Sequence, residues 1–236
     1  MAIKLTTTSV AAANHGVKAL VYGRTGVGKT TLCGTAPNNL IISAESGLLS
    51  LGDKNIPVIE IESFMDIAEA YRFVTESAEA TQFETISLDS ISEIAEQCLA
   101  HERATNKDAR AAYGELATKM SEVIRSFRDL PERNVYFAAK SGYNKDEQTG
   151  ITMYGPSMPG QTLTKNLGYF FDLVMQLEIG ADAEGNSFRY LRTAPTISIE
   201  AKDRSNKLEA FEAPDLGAVF QKIRGGVVAP TTGAAE

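Results

Sequence analysis

Short apolar runs recur along the chain and alternate with stretches in which apolar residues return every three or four positions. Residues 18–22 (KALVY) are such a run, ending on a glycine, and predict a strand buried on both faces. Residues 39–43 (NLIIS) follow a Pro37-Asn38 turn and residues 57–61 (PVIEI) enter through a proline. Residues 84–88 (ETISL) end on Asp89, and residues 134–139 (NVYFAA) come after Pro131. Each of these predicts a further strand. Between them, residues 30–35 continue from a glycine loop as a helix, and residues 64–80 set Phe64, Ile67, Ala68, Tyr71 and Val74 at helical spacing. Residues 92–104 and 112–130 predict two more helices, separated by a polar, basic stretch. Such alternation predicts an α/β fold, with a mostly parallel sheet, helices on both faces and right-handed crossovers. Ligands of such sheets sit beyond the carboxyl ends of the strands.

After Lys140 the texture changes. Residues 141–165 hold four glycines and two prolines without a sustained period, and are expected to form one long functional loop. Residues 170–179 and 188–192 flank a turn-rich segment from Asp182 to Asn186 and predict an antiparallel hairpin on the sheet edge. Residues 213–223 predict a closing helix. The expected organisation is an N-terminal arm at 1–16, one core domain at 17–224 and a disordered Gly/Ala/Thr/Val/Pro tail at 225–236.

With 236 residues, 43% apolar and 22% charged, the chain has enough apolar material for the core of one soluble domain. No apolar run approaches the roughly 18–20 residues that cross a membrane. Residues 1–15 lack the apolar block of a signal peptide, so the expected location is the cytoplasm. Cys33 and Cys98 have no metal-ligand spacing and read as buried free thiols. His15 and His101 have no Cys or His near them, which argues against a structural zinc site. A net charge of −7 means that any contact with nucleic acid is confined to one loop or groove.

The segment Gly23-Arg24-Thr25-Gly26-Val27-Gly28-Lys29-Thr30, with Thr31 next to it, fits G-x-x-x-x-G-K-[ST], with a predicted strand before it and a helix following. Glycines let the backbone curl until successive N–H groups face one anion, and the helix start adds positive potential there. Lys29 is then aimed at the β- and γ-phosphates and Thr30 at magnesium. Asp89, at a strand end, either holds the same magnesium opposite Thr30 or caps the next helix. Glu45, after the second strand, either orients the attacking water or is a solvated loop carboxylate.

These residues resemble a known family. GRTGVGKTTL, the strand ending in Ala44-Glu45 and the strand ending in Leu88-Asp89-Ser90 resemble the RecA-like recombinase core. The resemblance implies a RecA-like P-loop NTPase fold with ATP and Mg2+ as cofactors, and makes Glu45 the water-activating base. It also places a γ-phosphate sensor at the end of the fifth strand, where this chain has Lys140. Residues 156–177, followed by Ala201-Lys202-Asp203-Arg204, look more specifically like phage-encoded nucleotide-binding proteins of the Sak-type single-strand annealing group. That likeness covers roughly residues 17–223. It implies a DNA-stimulated ATPase that binds single-stranded DNA, acts as a homo-oligomeric ring or filament, and promotes annealing and homologous recombination, with a single-strand-binding protein as a candidate partner. Large accessory domains for strand exchange are not expected in a chain of this length.

Two DNA-facing loops are implied: residues 105–114, with Lys107, Arg110 and Tyr113, and residues 141–165, with Tyr143, Lys145, Tyr154 and Lys165. Cations for phosphates and flat rings for bases are what single strands require, although ordinary polar loops have the same composition. Lys202 and Arg204 are implied to reach a neighbouring subunit's ATP, the alternative being a solvated basic edge. Two other functions fit the same motif. One is a nucleotide-switched assembly protein without DNA binding. The other is a P-loop kinase for a small molecule, which ranks lower because residues 141–165 contain no arginine for a lid.

Overall fold

The structure, a computed structural model, describes residues 5–45, 47–145 and 149–225. Helix α1 (Thr8–Ala13), capped by Thr7, lies in the N-terminal arm. Then come β1 (Lys18–Gly23), α2 (Lys29–Cys33), β2 (Asn39–Ser43), β3 (Val58–Glu60), α3 (Asp66–Glu76) and β4 (Thr85–Asp89). Helices α4 (Ile91–Thr105) and α5 (Ala109–Arg128) lead to β5 (Asn134–Lys145), β6 (Thr152–Ser157) and α6 (Gln161–Asn166). The chain ends with β7 (Leu173–Ala181), β8 (Ser187–Arg192), β9 (Lys202–Asp203), β10 (Phe211–Glu212) and α7 (Leu216–Arg224). Of the tail expected at 225–236, only Gly225 falls among the described residues.

One sheet runs β10-β8-β7-β1-β5-β4-β2-β3, and the stretch from β7 to β3 is parallel throughout. This is the α/β class expected from the sequence. Alternate residues along each strand enter two separate cores. Leu20, Tyr22, Ile86, Leu88 and Phe137 face α3, α4 and α5, while Ala19, Val21, Tyr136 and Leu177 face α2 and α7. Both cysteines are buried and free. Among the described residues no helix is long and apolar enough to cross a membrane.

One expectation is corrected. Residues 141–165 are not one loop: β5 continues past Lys140 to Lys145 and pairs antiparallel with β6, from Lys140↔Ser157 to Lys145↔Thr152, before α6 begins. The paired hydrogen bonds continue because Gly142 lies opposite Gly155 and neither carries a Cβ to obstruct its neighbours. A Cβ on Gly142 would sit 2.6 Å from the Ser157 side chain, and one on Gly155 would sit 2.7 Å from that of Glu200. The late antiparallel hairpin is present as expected. Its first strand, β7, runs parallel to β1 inside the sheet, and only β8 beyond it turns antiparallel, from Gln176↔Arg192 to Ala181↔Ser187.

Candidate active site

β1 is flanked by β5 and β7, so the loop that follows it opens at the middle of the sheet's carboxyl edge. Gly26 and Gly28 take φ of 77° and 104°, values costly for any residue with a Cβ, and these turn the chain back into α2. Gly28 is the N-cap of α2 and contributes no side-chain cap, which leaves the first N–H groups of the helix facing the loop. The buried Tyr136 hydroxyl donates to the Lys29 carbonyl (3.0 Å) and pins this first turn onto β5. The other end of α2 is tied down by Asn39, whose Nδ2 donates to the Cys33 carbonyl (2.9 Å) while its Oδ1 accepts from Ser87 (2.7 Å). The short helix is therefore fixed at both ends by buried polar groups.

Lys29 Nζ donates to the carbonyls of Gly23 (3.0 Å) and Arg24 (3.2 Å) and so lies along the inner wall of the loop. Burial lowers its ammonium below the ordinary value, against the pull of Glu45 and Asp89. Asp89 is 2% exposed at the end of β4. Burial raises its carboxyl above the ordinary value, and a hydrogen bond from Thr30 works in the opposite sense. A buried carboxylate beside a threonine hydroxyl is a donor set for a hard cation, so the residues fit magnesium. The capping reading of Asp89 fails, because Ser90 caps α4 by accepting from the Glu93 N–H (3.3 Å).

Parallel pairing of β2 with β4 sets Ser43 opposite Asp89, and Ala44 N–H donates to the Asp89 carbonyl (2.9 Å). Glu45 is thereby delivered to the same edge, where its Oε1 accepts from the Ser90 hydroxyl. Lys140 stands opposite Gly23 across β1 and β5, and its Nζ donates to Glu93 Oε2 (3.0 Å). Lys29, Thr30, Glu45, Asp89 and Lys140, spread over more than a hundred positions of sequence, thus meet at one edge of the sheet. Arg24, Thr25 and Gly26 are exposed at the loop's rim, Val27 is buried beneath it, and Thr31 is exposed on α2.

Family comparison agrees with this geometry: residues 15–205 match the AAA domain. The chain belongs to the AAA domain family. It is a nucleotide-binding P-loop ATPase domain. No curated protein matches it. Among solved structures, this AAA domain is similar to a KaiC-like protein of Pyrococcus horikoshii, at 14% identity, with 75% of this chain and 77% of that one covered and a TM-score of 0.39. It is also similar to the flagellar accessory protein FlaH of Methanocaldococcus jannaschii, at 12% identity, 76% and 78% coverage and a TM-score of 0.40.

The residues expected to face DNA divide into two groups. In the first, only Lys107 lies in a loop of the AAA domain; Arg110 and Tyr113 belong to α5, because Asp108 caps that helix earlier than expected. Tyr113 accepts from Arg103 Nη2 (3.0 Å) and borders a groove of about 490 Å3 that Pro159, Gly160 and Leu163 close from the other side. In the second group, Tyr143 and Tyr154 pair across the β5–β6 hairpin with ring centroids 6.3 Å apart, at 76% and 42% exposure. Lys145 ends the hairpin, and Lys165 of α6 lines a smaller cavity together with Tyr143.

Lys202 and Arg204 do not reach the P-loop of their own chain. β9 pairs with the first residues of β7, Val174↔Lys202 and Leu173↔Asp203, toward the opposite end of the strands. Lys202 Nζ donates to the Gly168 carbonyl (2.7 Å), and Arg204 Nη1 to Asp172 Oδ1 (3.4 Å). The arginine that does reach the loop is Arg189 of β8, whose Nε donates to the Val27 carbonyl (2.7 Å). The sequence held no signal for it, since the two residues stand 162 positions apart.

Proposed function

We propose that this protein is a DNA-stimulated ATPase that binds single-stranded DNA and promotes annealing in homologous recombination, in the manner of the Sak-type phage proteins its sequence resembles. The observation that carries the reading is the course of β5. Its buried half ends at Ala139, Lys140 next to it stands opposite Gly23 of the P-loop, and the strand goes on to bear Tyr143 and Lys145. One strand thereby joins the phosphate site to a hairpin with two exposed rings and a cation.

In this reading the loop from Gly23 to Thr31 wraps the phosphates with its N–H groups, and Lys29 turns from its own carbonyls toward them. Thr30 and Asp89 hold magnesium, which when bound neutralises charge on the β- and γ-phosphate oxygens. Glu45, oriented by Ser90, accepts a proton from the attacking water at its free Oε2. Lys140, loosened from Glu93, senses the γ-phosphate and passes the change to the hairpin that follows it. Tyr143 and Tyr154 stack on bases, while Lys145, Lys165, Lys107 and Arg110 meet phosphates around the groove that Tyr113 borders. The working form is a homo-oligomer, in which Lys202 and Arg204 of one subunit complete the site of the next.

The deciding experiment measures ATP hydrolysis with and without single-stranded DNA over a salt series, for the wild type and for Tyr143→Ala. Stimulation that weakens with salt and is reduced in Tyr143→Ala is the expected result, with a loss of about 1–3 kcal/mol of DNA affinity per stacked base. ATP hydrolysis without DNA binding at any salt concentration would refute the DNA reading and leave a nucleotide-switched assembly protein.

A further inference from the structure

Strand β8 alternates two kinds of side chain. Phe188 and Tyr190 point to one face, where Tyr190 meets Phe211 edge-on at 5.5 Å. Arg189 and Leu191 point to the other, the α2 face, where Leu191 joins Val27, Leu32 and Leu177 in the core. The register places Arg189 opposite Ile179, three residues beyond the Gln176 that pairs with Tyr22, and so level with the P-loop. Its side chain reaches the loop at Val27 and Gly28. Nε donates to the Val27 carbonyl at 2.7 Å, and a Cβ on Gly28 would stand 3.1 Å from that Nε.

The Val27–Gly28 peptide is the one that Arg189 holds. In a trans peptide the carbonyl and the N–H point in opposite directions. A carbonyl turned outward to Arg189 therefore turns the Gly28 N–H inward, toward the anion. Flanked by a glycine at φ 104°, this peptide could otherwise rotate at little cost. A charged donor on the carbonyl also polarises the peptide and strengthens its N–H as a donor.

We infer that Arg189 is a positioning residue of the phosphate cradle: from β8 of the same chain it locks the Val27–Gly28 peptide with its N–H toward the β-phosphate. The inference rests on the reading of the loop as a nucleotide site, and it adds a residue outside the motif. It also gives the β7–β8 hairpin a hold on the loop that binds the nucleotide. Because Arg189 acts on the loop from behind, it supports bound ADP and ATP alike and contributes to binding rather than to the transition state.

The test measures ADP affinity, steady-state ATP kinetics and nucleotide-free melting temperature for the wild type, Arg189→Ala and Arg189→Lys. Arg189→Ala is expected to weaken ADP about tenfold and raise KM for ATP about as much, with kcat within about twofold and the nucleotide-free melting temperature unchanged. Arg189→Lys, which can still donate to the Val27 carbonyl, is expected to recover most of the affinity. Unchanged ADP affinity in Arg189→Ala would overturn the inference. So would a fall in kcat of more than about a hundredfold at unchanged ADP affinity, the result of a guanidinium that touches the transferring phosphoryl group itself. A wild type that does not bind ADP would refute the nucleotide site, a result distinct from both.

Discussion

Replacing Glu45 with glutamine separates binding from hydrolysis, because the side chain keeps its place while losing its chemistry. Glutamine retains an oxygen that can accept the Ser90 hydroxyl, the contact that orients Glu45. What disappears is the basic oxygen and one negative charge. Removing a general base slows turnover by a factor on the order of 10²–10⁴. At about 1.36 kcal/mol per decade, that adds roughly 2.7–5.4 kcal/mol to the barrier. The lost charge acts in the other direction on binding. Glu45 repels the ionised form of Asp89, so Glu45→Gln makes Asp89 a readier magnesium ligand. ATP affinity should therefore hold or tighten while turnover falls. Single-turnover phosphate release, with enzyme in excess, reads the chemical step, and a fluorescent ATP analogue reads affinity. Ser90→Ala should give a smaller fall, around tenfold, together with the cost of about 1 kcal/mol for losing the α4 cap. Turnover of Glu45→Gln within about threefold of wild type would refute the assignment, and so would an ATP affinity that collapses in parallel with the rate.

Two further substitutions test the cation site and the loop. Asp89 holds its proton more tightly in the folded protein than in the unfolded chain. Stability without magnesium therefore falls as pH rises from the ordinary carboxylate range through the raised value, and the penalty is complete above it. Asp89→Asn should accordingly melt higher than wild type at pH 8 without magnesium, lose that advantage in acid, and show weaker magnesium dependence of ATP binding; an Asn variant that melts lower at pH 8 would contradict this. Gly28→Ala must place a Cβ at φ 104° and press on Arg189. At about 1–2 kcal/mol of strain, the nucleotide-free melting temperature should drop by roughly 2–8 °C and ADP binding should be lost, whereas an unchanged melting curve would mean the loop relaxes freely.

The half of the chain before Lys140 was legible because its signals are local. β2 spans the expected residues 39–43, and β1 and β4 start or end within a residue of the expected runs, since an apolar run bounded by turn residues reports a buried parallel strand directly. The P-loop was legible for the same reason, as motif, strand and helix are contiguous. The hairpin of β5 and β6 was not, because its two glycines read as loop residues. They are small for a different reason, the close approach of Ser157 and Glu200, which is visible only once the strands are paired. Arg110 and Tyr113 were placed in a loop at 105–114 by the family resemblance, yet Asp108 caps a 20-residue helix that holds both. Arg189 belongs to a third kind, a contact that depends wholly on sheet register. No periodicity near position 189 could place it over Val27.

In the proposed reading, the same register links the nucleotide edge to two distant surfaces. β1 is hydrogen-bonded on one side to β5 and on the other to β7, in both cases parallel and in both cases up to the level of the P-loop. Each neighbour then continues beyond that level into an antiparallel hairpin, β5 with β6 and β7 with β8. The loop is thus held between two arms, one carrying Tyr143 and Tyr154 and the other carrying Arg189. A buried sheet deforms little within its strands, because its interior is close-packed. A displacement that begins at the phosphates is therefore passed to the less buried segments that follow, and those are the exposed ends of β5 and β7. On one arm the link is Lys140, whose Nζ donates to Glu93, and in the proposed reading a γ-phosphate competes for it. On the other it is the hydrogen bond from Arg189 to the loop's own backbone. As proposed, the two links differ in kind: the first responds to which nucleotide is present, and the second to whether the cradle is formed at all.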